Sequence, residues 1–358
     1  MKKITLKTKN NNIPIFVGNK IVSKKMFSAL IKGKDVLIVT NKTVGKLYLN
    51  KIKKLLPSFT VKSIQISDGE KYKNISVFSK IQDFMIKNNF DRDVTVIALG
   101  GGVIGDLVGF VASTFMRGVK LIHIPTTLLA QVDSSIGGKT AINHPNGKNL
   151  IGSFYQPNCV IIDTEFLKTL PEKEFTSGLA EVIKYGVIKN HKFLRWLNNH
   201  ANEIINKKKS ILLKIVEISA KEKVNVVTKD EHESNVRAFL NFGHTLGHAI
   251  EASMKYKNIL HGEAISIGML YASMLSVEKN NLSIEDFNLI ESTLKKLKLP
   301  TKVPTKITNK NLIKHMSFDK KKKGGKNRFV LLERIGFCVI NTTIKEKYLE
   351  EMLKVFRG

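Results

Sequence analysis

Arginine is scarce in this chain: seven of its 59 basic residues are Arg and the rest are Lys, against 30 acidic residues. Cysteine (two), tryptophan (one) and proline (eight) are also rare among the 358 residues. No apolar run approaches the roughly 18 residues of a membrane-spanning helix. Each shortage excludes something. Cys159 and Cys338 lie far apart, with no redox or metal-ligand spacing, so neither a disulfide framework nor a thiolate metal site is expected, and buried thiols in the cytoplasm are. Residues 1–6, MKKITL, are followed by polar residues instead of an apolar stretch, so no export signal is read there and no membrane partner is expected. The formal net charge of +29 raises the question of nucleic acid. Arg is the side chain suited to base edges and paired phosphate contacts. The lysines are dispersed, and no nucleic-acid-binding motif accompanies them. The expectation is a solvated basic surface, not specific nucleic-acid binding.

What is present is periodicity. With 42 % apolar residues and a length beyond what one core usually serves, two domains are expected. Short apolar runs at 35–40, 61–67, 94–100, 121–125 and 160–163 alternate with stretches of helical period. That pattern predicts an α/β N-terminal domain with a parallel, Rossmann-like sheet over residues 1–167. From Pro171 onward the spacing is helical, at 172–189, 211–228, 243–254, 263–278 and 284–297. A strand pair at 328–332 and 337–340 and a helix at 345–356 complete a mainly α-helical C-terminal domain, 168–358.

The run Gly100 to Gly105 satisfies GxGxxG between a predicted strand and a predicted helix. Such a loop lets backbone N–H groups and a helix N-terminus meet a pyrophosphate. A plain tight turn explains it equally well. It also follows an inner strand, and no acidic residue ends the next strand, both departures from the dinucleotide fingerprint. The company it keeps at other strand ends favours a nucleotide: Thr40, Asn41, Asp68, Glu70, Lys71, Lys73, Thr126 and Thr127 all fall there. Glu70 suits ribose hydroxyls and Lys73 a phosphate. An acidic ribose contact disfavours a 2′-phosphate, so NAD is expected over NADP.

In the second half, His244 and His248 are four residues apart on one helix face, and His261 opens the next helix. Glu181 lies on an earlier helix, with Lys184 three residues on. Two histidines and one carboxylate leave a divalent ion with open positions, the pattern of catalytic sites. Spacing alone selects His244 with His248 as the ligand pair. The Gly-punctuated stretch 133–149 carries Asp133, Lys139, Lys148 and Asn149, suited to a phosphate. Lys223, Arg237 and the Lys320–Lys321 pair are further cationic candidates. A lysine in so basic a chain is by default simply solvated, so these count only as a set.

The stretches DGEKYK (68–73), ALGGGVIGDLVGFVASTFMRG (98–118), PTTLLAQVDSSIGGKTAINHPNGKNLIGSFYQP (125–157), SGLAEVIKYG (177–186), KDEHESNVRAFLNFGHTLGHAIE (229–251), LHGEAISIGM (260–269) and DKKKKGGKNRFVLL (319–332) resemble, in order, the 3-dehydroquinate synthase family of sugar phosphate cyclases. The resemblance implies a dehydroquinate synthase-like fold with zinc or cobalt held by Glu181, His244 and His261. It moves His248 off the metal and into the substrate pocket, against the spacing argument. It implies NAD contacts from Glu70, Lys73, Gly101, Gly102, Val103, Asp106, Thr126, Thr127, Lys148, Thr169 and Leu170, to which the loop and strand-end readings add Asn41, Asp68, Lys71, Gly105 and Lys139. Substrate contacts are implied for Asp133, Lys139, Asn149, Lys184, Lys223, Arg237, Asn241, His248 and one of Lys320 or Lys321. Arg117 resembles an arginine that the family lends to a neighbouring subunit, implying a homodimer. His232 stands where the family often has Arg. The implied reaction converts 3-deoxy-D-arabino-heptulosonate 7-phosphate to 3-dehydroquinate and phosphate. A metal-dependent polyol dehydrogenase and a sister cyclase acting on a substrate without a carboxylate are the alternatives.

Overall fold

A computed structural model describes residues 1–233, 236–280, 282–322 and 329–358, without the side chains of residues 318–322. Contacts divide the chain into two compact units, Met1–Leu170 with Leu212–His232, and Pro171–Ile211 with Glu233–Gly358. Residues 212–232, expected with the C-terminal domain, make their contacts within the first unit. They do form the expected helix, Lys209–Lys229. Periodicity reports which face of a helix is apolar, not which core receives it.

The first unit is built on seven strands, β1 (Lys2–Lys7), β2 (Asn12–Gly18), β3 (Asp35–Asn41), β4 (Thr60–Ile66), β5 (Thr95–Gly100), β6 (Lys120–Pro125) and, after a hairpin of β7 (Lys139–His144) and β8 (Gly147–Phe154), β9 (Cys159–Asp163). Their order is β1-β2-β9-β6-β5-β3-β4. Only β1 runs antiparallel to its neighbour. The central strands bury both faces because side chains alternate along a strand. Leu37, Val39, Val96 and Ala98 join one core with the helices Ile75–Lys87 and Gly102–Thr114. Val36, Ile38, Ile97 and Leu99 join the other, with Phe27 of helix Lys24–Leu30 and with Leu49 and Ile52. From β3 the chain goes outward to β4 and then returns to β5 on the other side. Such a switch point opens a crevice at the carboxyl ends of the two strands.

The β7–β8 hairpin replaces the loops expected at 133–149. Its Gly- and Asn-rich sequence hides the strand pattern, and the pairing is sustained by the Thr140 hydroxyl donating to the Ser153 carbonyl (2.8 Å) and by packing on helix Gly102–Thr114. The β1–β2 hairpin was likewise not foreseen; it gains its order from pairing β2 with β9.

In the second unit the helices Glu172–Lys189, His244–Ser253 and His261–Asn280 pack with the hairpin β10 (Phe329–Arg334) and β11 (Phe337–Asn341) and the final helix Glu346–Arg357. Arg328, expected to open β10, lies outside the described residues. Among the described residues no helix is long and apolar enough to cross a membrane. The helices His244–Ser253 and His261–Asn280 meet backbone to backbone. A Cβ at Gly268 would lie 1.9 Å from the Gly243 carbonyl oxygen, and Gly243 itself takes φ 79° as the N-cap that launches the first helix.

Gly268→Ala is therefore expected to cost stability at or above the about 1–3 kcal/mol typical of overpacking. Gly105→Ala is the control, because its methyl would meet the His123 ring at 3.6 Å, an ordinary contact. It should stay within about 1 kcal/mol of the parent, helped by helix propensity. Urea denaturation of both variants checks the pair; equal losses would contradict the close-approach argument.

Candidate functional site

At the carboxyl ends of β3, β5 and β6 the first unit collects polar groups. The helix Gly102–Thr114 begins at Gly101 with no side-chain cap, so its first-turn N–H groups remain available to an anion. The buried hydroxyls of Thr40 and Thr126 and the Asn41 side-chain oxygen have no hydrogen-bond partner among the described residues. The Asn41 amide donates to Asp68, and the Thr43 N–H reaches the same carboxylate at 3.3 Å. Gly101 closes against Thr127, whose Cγ2 would be 2.9 Å from a Cβ there. Glu70 accepts from the Asn143 amide at 2.7 Å, and Lys71 lies over the ring of Tyr72. Uncapped N–H groups and orphaned hydroxyls fit a polar, anionic ligand such as a dinucleotide.

Lys73 is buried, pairs with Asp106 and donates to Asn149 Oδ1 at 2.6 Å. Burial pushes the Asp106 carboxyl above its usual range, Lys73 opposes that, and the Glu70 and Asp133 carboxylates add to the rise. Asp133 accepts from the buried Lys223 ammonium at 2.7 Å. Asn149 stands on the hairpin at φ 55°. Lys139 and Arg117 are exposed and Lys148 is half-buried. Thr169 meets the Tyr48 hydroxyl, and Leu170 is buried beside it in sequence.

In the second unit three elements bring Glu181, His244 and His261 together, with one ligand atom from each lying within 4.8 Å of the others. Both imidazole Nε2 atoms stand 3.7 Å from the same oxygen, Glu181 Oε1. The other Glu181 oxygen pairs with Lys184, and both residues are almost fully buried. His244 Nδ1 is 3.2 Å from the Phe242 carbonyl oxygen. Burial, with Lys184 next in effect, holds His244 well below the usual histidine range, so it is neutral and able to ligate. Burial also pulls His261 down, but Glu181 and Glu251 outweigh it and carry the ring up to about 9. Two imidazoles and a buried carboxylate converging on one point fit a divalent cation with open coordination positions. His248 is exposed, its ring 5.2 Å from that of His244. It belongs to a second convergent group with Glu251 and His261, so the spacing-based pair His244 and His248 is not the set that meets Glu181. Arg237 is buried, and Asn241 donates to Glu233 at 3.1 Å. The side chains of Lys320 and Lys321 lie outside the described residues.

The family models for the 3-dehydroquinate synthase N-terminal and C-terminal regions match residues 63–177 and 178–322. The chain belongs to the 3-dehydroquinate synthase family. A 3-dehydroquinate synthase of Hydrogenovibrio crunogenus is 44 % identical over 358 residues, covering the whole of both chains. Among solved structures, the 2-epi-5-epi-valiolone synthase of Streptomyces hygroscopicus subsp. jinggangensis 5008, with NAD+ and Zn2+ bound, superposes with TM-score 0.89 at 25 % identity over 98 % of each chain. A 2-deoxy-scyllo-inosose synthase complexed with carbaglucose-6-phosphate, NAD+ and Co2+ shares the fold, with TM-score 0.90 at 24 % identity over 99 % of each chain.

Sequence reasoning missed Asn143, which ties Glu70 to the hairpin, since Asn143 Oδ1 also accepts from the Asn149 N–H at 2.9 Å. Only the undetected β7–β8 pairing would have found it. It also passed over Glu251, although seven residues after His244 a helix returns to nearly the same face.

Lys73→Met would leave the half-buried Asp106 carboxylate without its cation, a change whose upper bound is the about 3–5 kcal/mol lost in fully buried pairs. Asp106 already has a folded-state pKa above its ordinary value, so the folded state binds its proton more tightly. Its contribution to stability therefore falls as pH rises past the unfolded value near about 4. Removing Lys73 enlarges that rise. The deficit of Lys73→Met against the parent should be greatest at neutral pH and shrink on acidification through the carboxylate range. Denaturation at a series of pH values checks this, and a pH-independent deficit would contradict it.

Proposed function

We propose that the chain is a 3-dehydroquinate synthase, converting 3-deoxy-D-arabino-heptulosonate 7-phosphate to 3-dehydroquinate and phosphate with NAD and zinc or cobalt. The observation that carries the reading is the convergence of Glu181, His244 and His261 in a chain of this family. These three residues would hold the cation, while the uncapped turn at Gly101 to Gly105 with Asn41, Asp68, Glu70, Lys71, Lys73, Asp106, Thr126, Thr127, Lys139, Lys148, Thr169 and Leu170 would hold NAD. When bound, the cation acidifies the hydroxyl to be oxidised, and the nicotinamide takes up one hydride and later returns it.

The substrate carries a carboxylate and a phosphate, and the chain answers with Lys139, Asn149, Lys184, Lys223, Arg237 and one of Lys320 or Lys321. Lys184 and Arg237 are buried, where a cation's attraction for an anion is least screened. Oxidation at C5 acidifies the proton at C6, and the departing phosphate itself can accept it. The protein then has chiefly to hold that phosphate and exclude other geometries. Asp133, Asn241 and His248 orient the hydroxyls for the ring opening and the intramolecular aldol closure that follow. Because the hydride goes out and comes back, net redox change is zero.

A homodimer and a cytoplasmic location belong to the same proposal. Arg117 and the adjacent Met116 are exposed non-glycine residues at φ 64° and 46°, a backbone state that costs roughly 1–2 kcal/mol per residue and suits a turn held for contact. Both cysteines are free thiols. A single-chain particle by sedimentation would overturn the dimer.

Supplied with the keto acid phosphate, zinc and a trace of NAD, the protein should release phosphate and product far in excess of cofactor. NADH accumulating in proportion to turnover would instead favour the polyol dehydrogenase. The two helix histidines separate as well. His244→Ala should lose metal after dialysis, whereas His248→Ala should keep metal and NAD but turn over slowly. Retention of zinc by His244→Ala together with its loss from His248→Ala would reverse the assignment.

A further inference from the structure

Glu251 has no part in that scheme, yet it is buried, 6 % exposed, on the helix that carries His244 and His248. Its Oε2 lies 3.3 Å from Nδ1 of His261, while Nε2 of the same ring faces Glu181 Oε1 at 3.7 Å. Two convergent triads thus share His261: Glu181 with His244, and His248 with Glu251. A cation seated at either triad must displace a proton from this ring, leaving a neutral imidazole with a lone pair on one nitrogen and a proton on the other. His261 cannot serve both triads at once without losing its last proton, so something must choose.

We infer that Glu251 is a positioning residue that accepts the Nδ1 proton of His261 and so directs the Nε2 lone pair into the seat formed with Glu181 and His244. This rests on the metal reading proposed above. The parallel at His244 supports it. There the Nδ1 atom is 3.2 Å from the Phe242 carbonyl oxygen and Nε2 is again 3.7 Å from Glu181 Oε1. Both histidines are therefore tied at Nδ1 and open at Nε2 toward one carboxylate oxygen. A backbone carbonyl does this for His244; for His261 the acceptor is a carboxylate, which also makes the ring a stronger donor to a cation. The tie spans a connection that needs fixing. Between the two helices the chain turns through Lys255, Tyr256 and Asn258, all at positive φ, with the Glu251 carbonyl accepting from the Tyr256 N–H at 2.8 Å. Glu251 thus holds the start of the connection through its backbone and the residue at its end through its side chain.

The test uses the full-length protein, stripped by a chelator and retitrated with Zn2+ against a chromophoric competitor, with Co2+ absorption as a record of ligand geometry. Glu251→Ala removes both the acceptor and its charge and should weaken zinc binding by about 10–100-fold. Glu251→Gln keeps an acceptor oxygen without the charge and should fall between Ala and the parent, still binding one equivalent. If the Ala variant does not fold, a weakened affinity and altered cobalt spectrum in Glu251→Gln still support the inference. Parental affinity and an unchanged cobalt spectrum in the folded variants would overturn it while leaving the metal site intact. Two zinc equivalents in the parent, falling to one in Glu251→Ala, would overturn it in favour of Glu251 as a ligand in a second seat. A parent that binds no zinc would remove the metal reading and this inference together.

Discussion

The helices His244–Ser253 and His261–Asn280 approach so closely that a methyl group at Gly268 would strike the Gly243 carbonyl. The rest of the second unit's chemistry depends on that contact. It brings His244 and His261, residues from separate helices, to equal distances from one Glu181 oxygen. Larger residues would hold the backbones apart, and side chains as short as histidine have no reach to spare. The price of the arrangement is a carboxylate buried to 1 % exposure, which folding tolerates only if cations stand beside it. Lys184, one turn along the same helix, supplies one; the two histidines face the other oxygen.

The first unit solves a related problem by different means. Its strand ends must stay polar for a ligand while the sheet beneath is dry on both faces. Lys73 and Asp106 neutralise each other there, and Lys223 and Asp133 do the same. The hairpin β7–β8 contributes Asn143 and Asn149 to this network, so an element that stands outside the main sheet helps to order the charged residues at its edge. Burial without such partners would shift the carboxylates to their neutral form, as the raised Asp106 already shows in part.

Much of the architecture was legible from residue order alone. Five strands of the main sheet, the switch to helical spacing after Pro171 and the helix at Gly102 follow from local periodicity and from glycine placement, which each stretch of chain carries with it. The convergence of Glu181, His244 and His261 was legible only through family resemblance, since spacing favoured His244 with His248. Spacing sees one helix at a time, and Glu181 lies far from both in sequence. The β7–β8 pairing was hidden because Asn143, Asn146, Gly147, Asn149 and Gly152 interrupt the alternation of the hairpin.

By itself, then, the sequence determined five strands of the main sheet, the helical spacing after Pro171 and the family. Tertiary structure alone decided which core takes residues 212–232, which nitrogen of each histidine faces Glu181, and that Glu251 stands behind His261. The physical reason is one of range. Helix and strand patterns arise from neighbours within a few residues, whereas the orientation of an imidazole is set by hydrogen bonds to groups that only folding brings within about 3 Å.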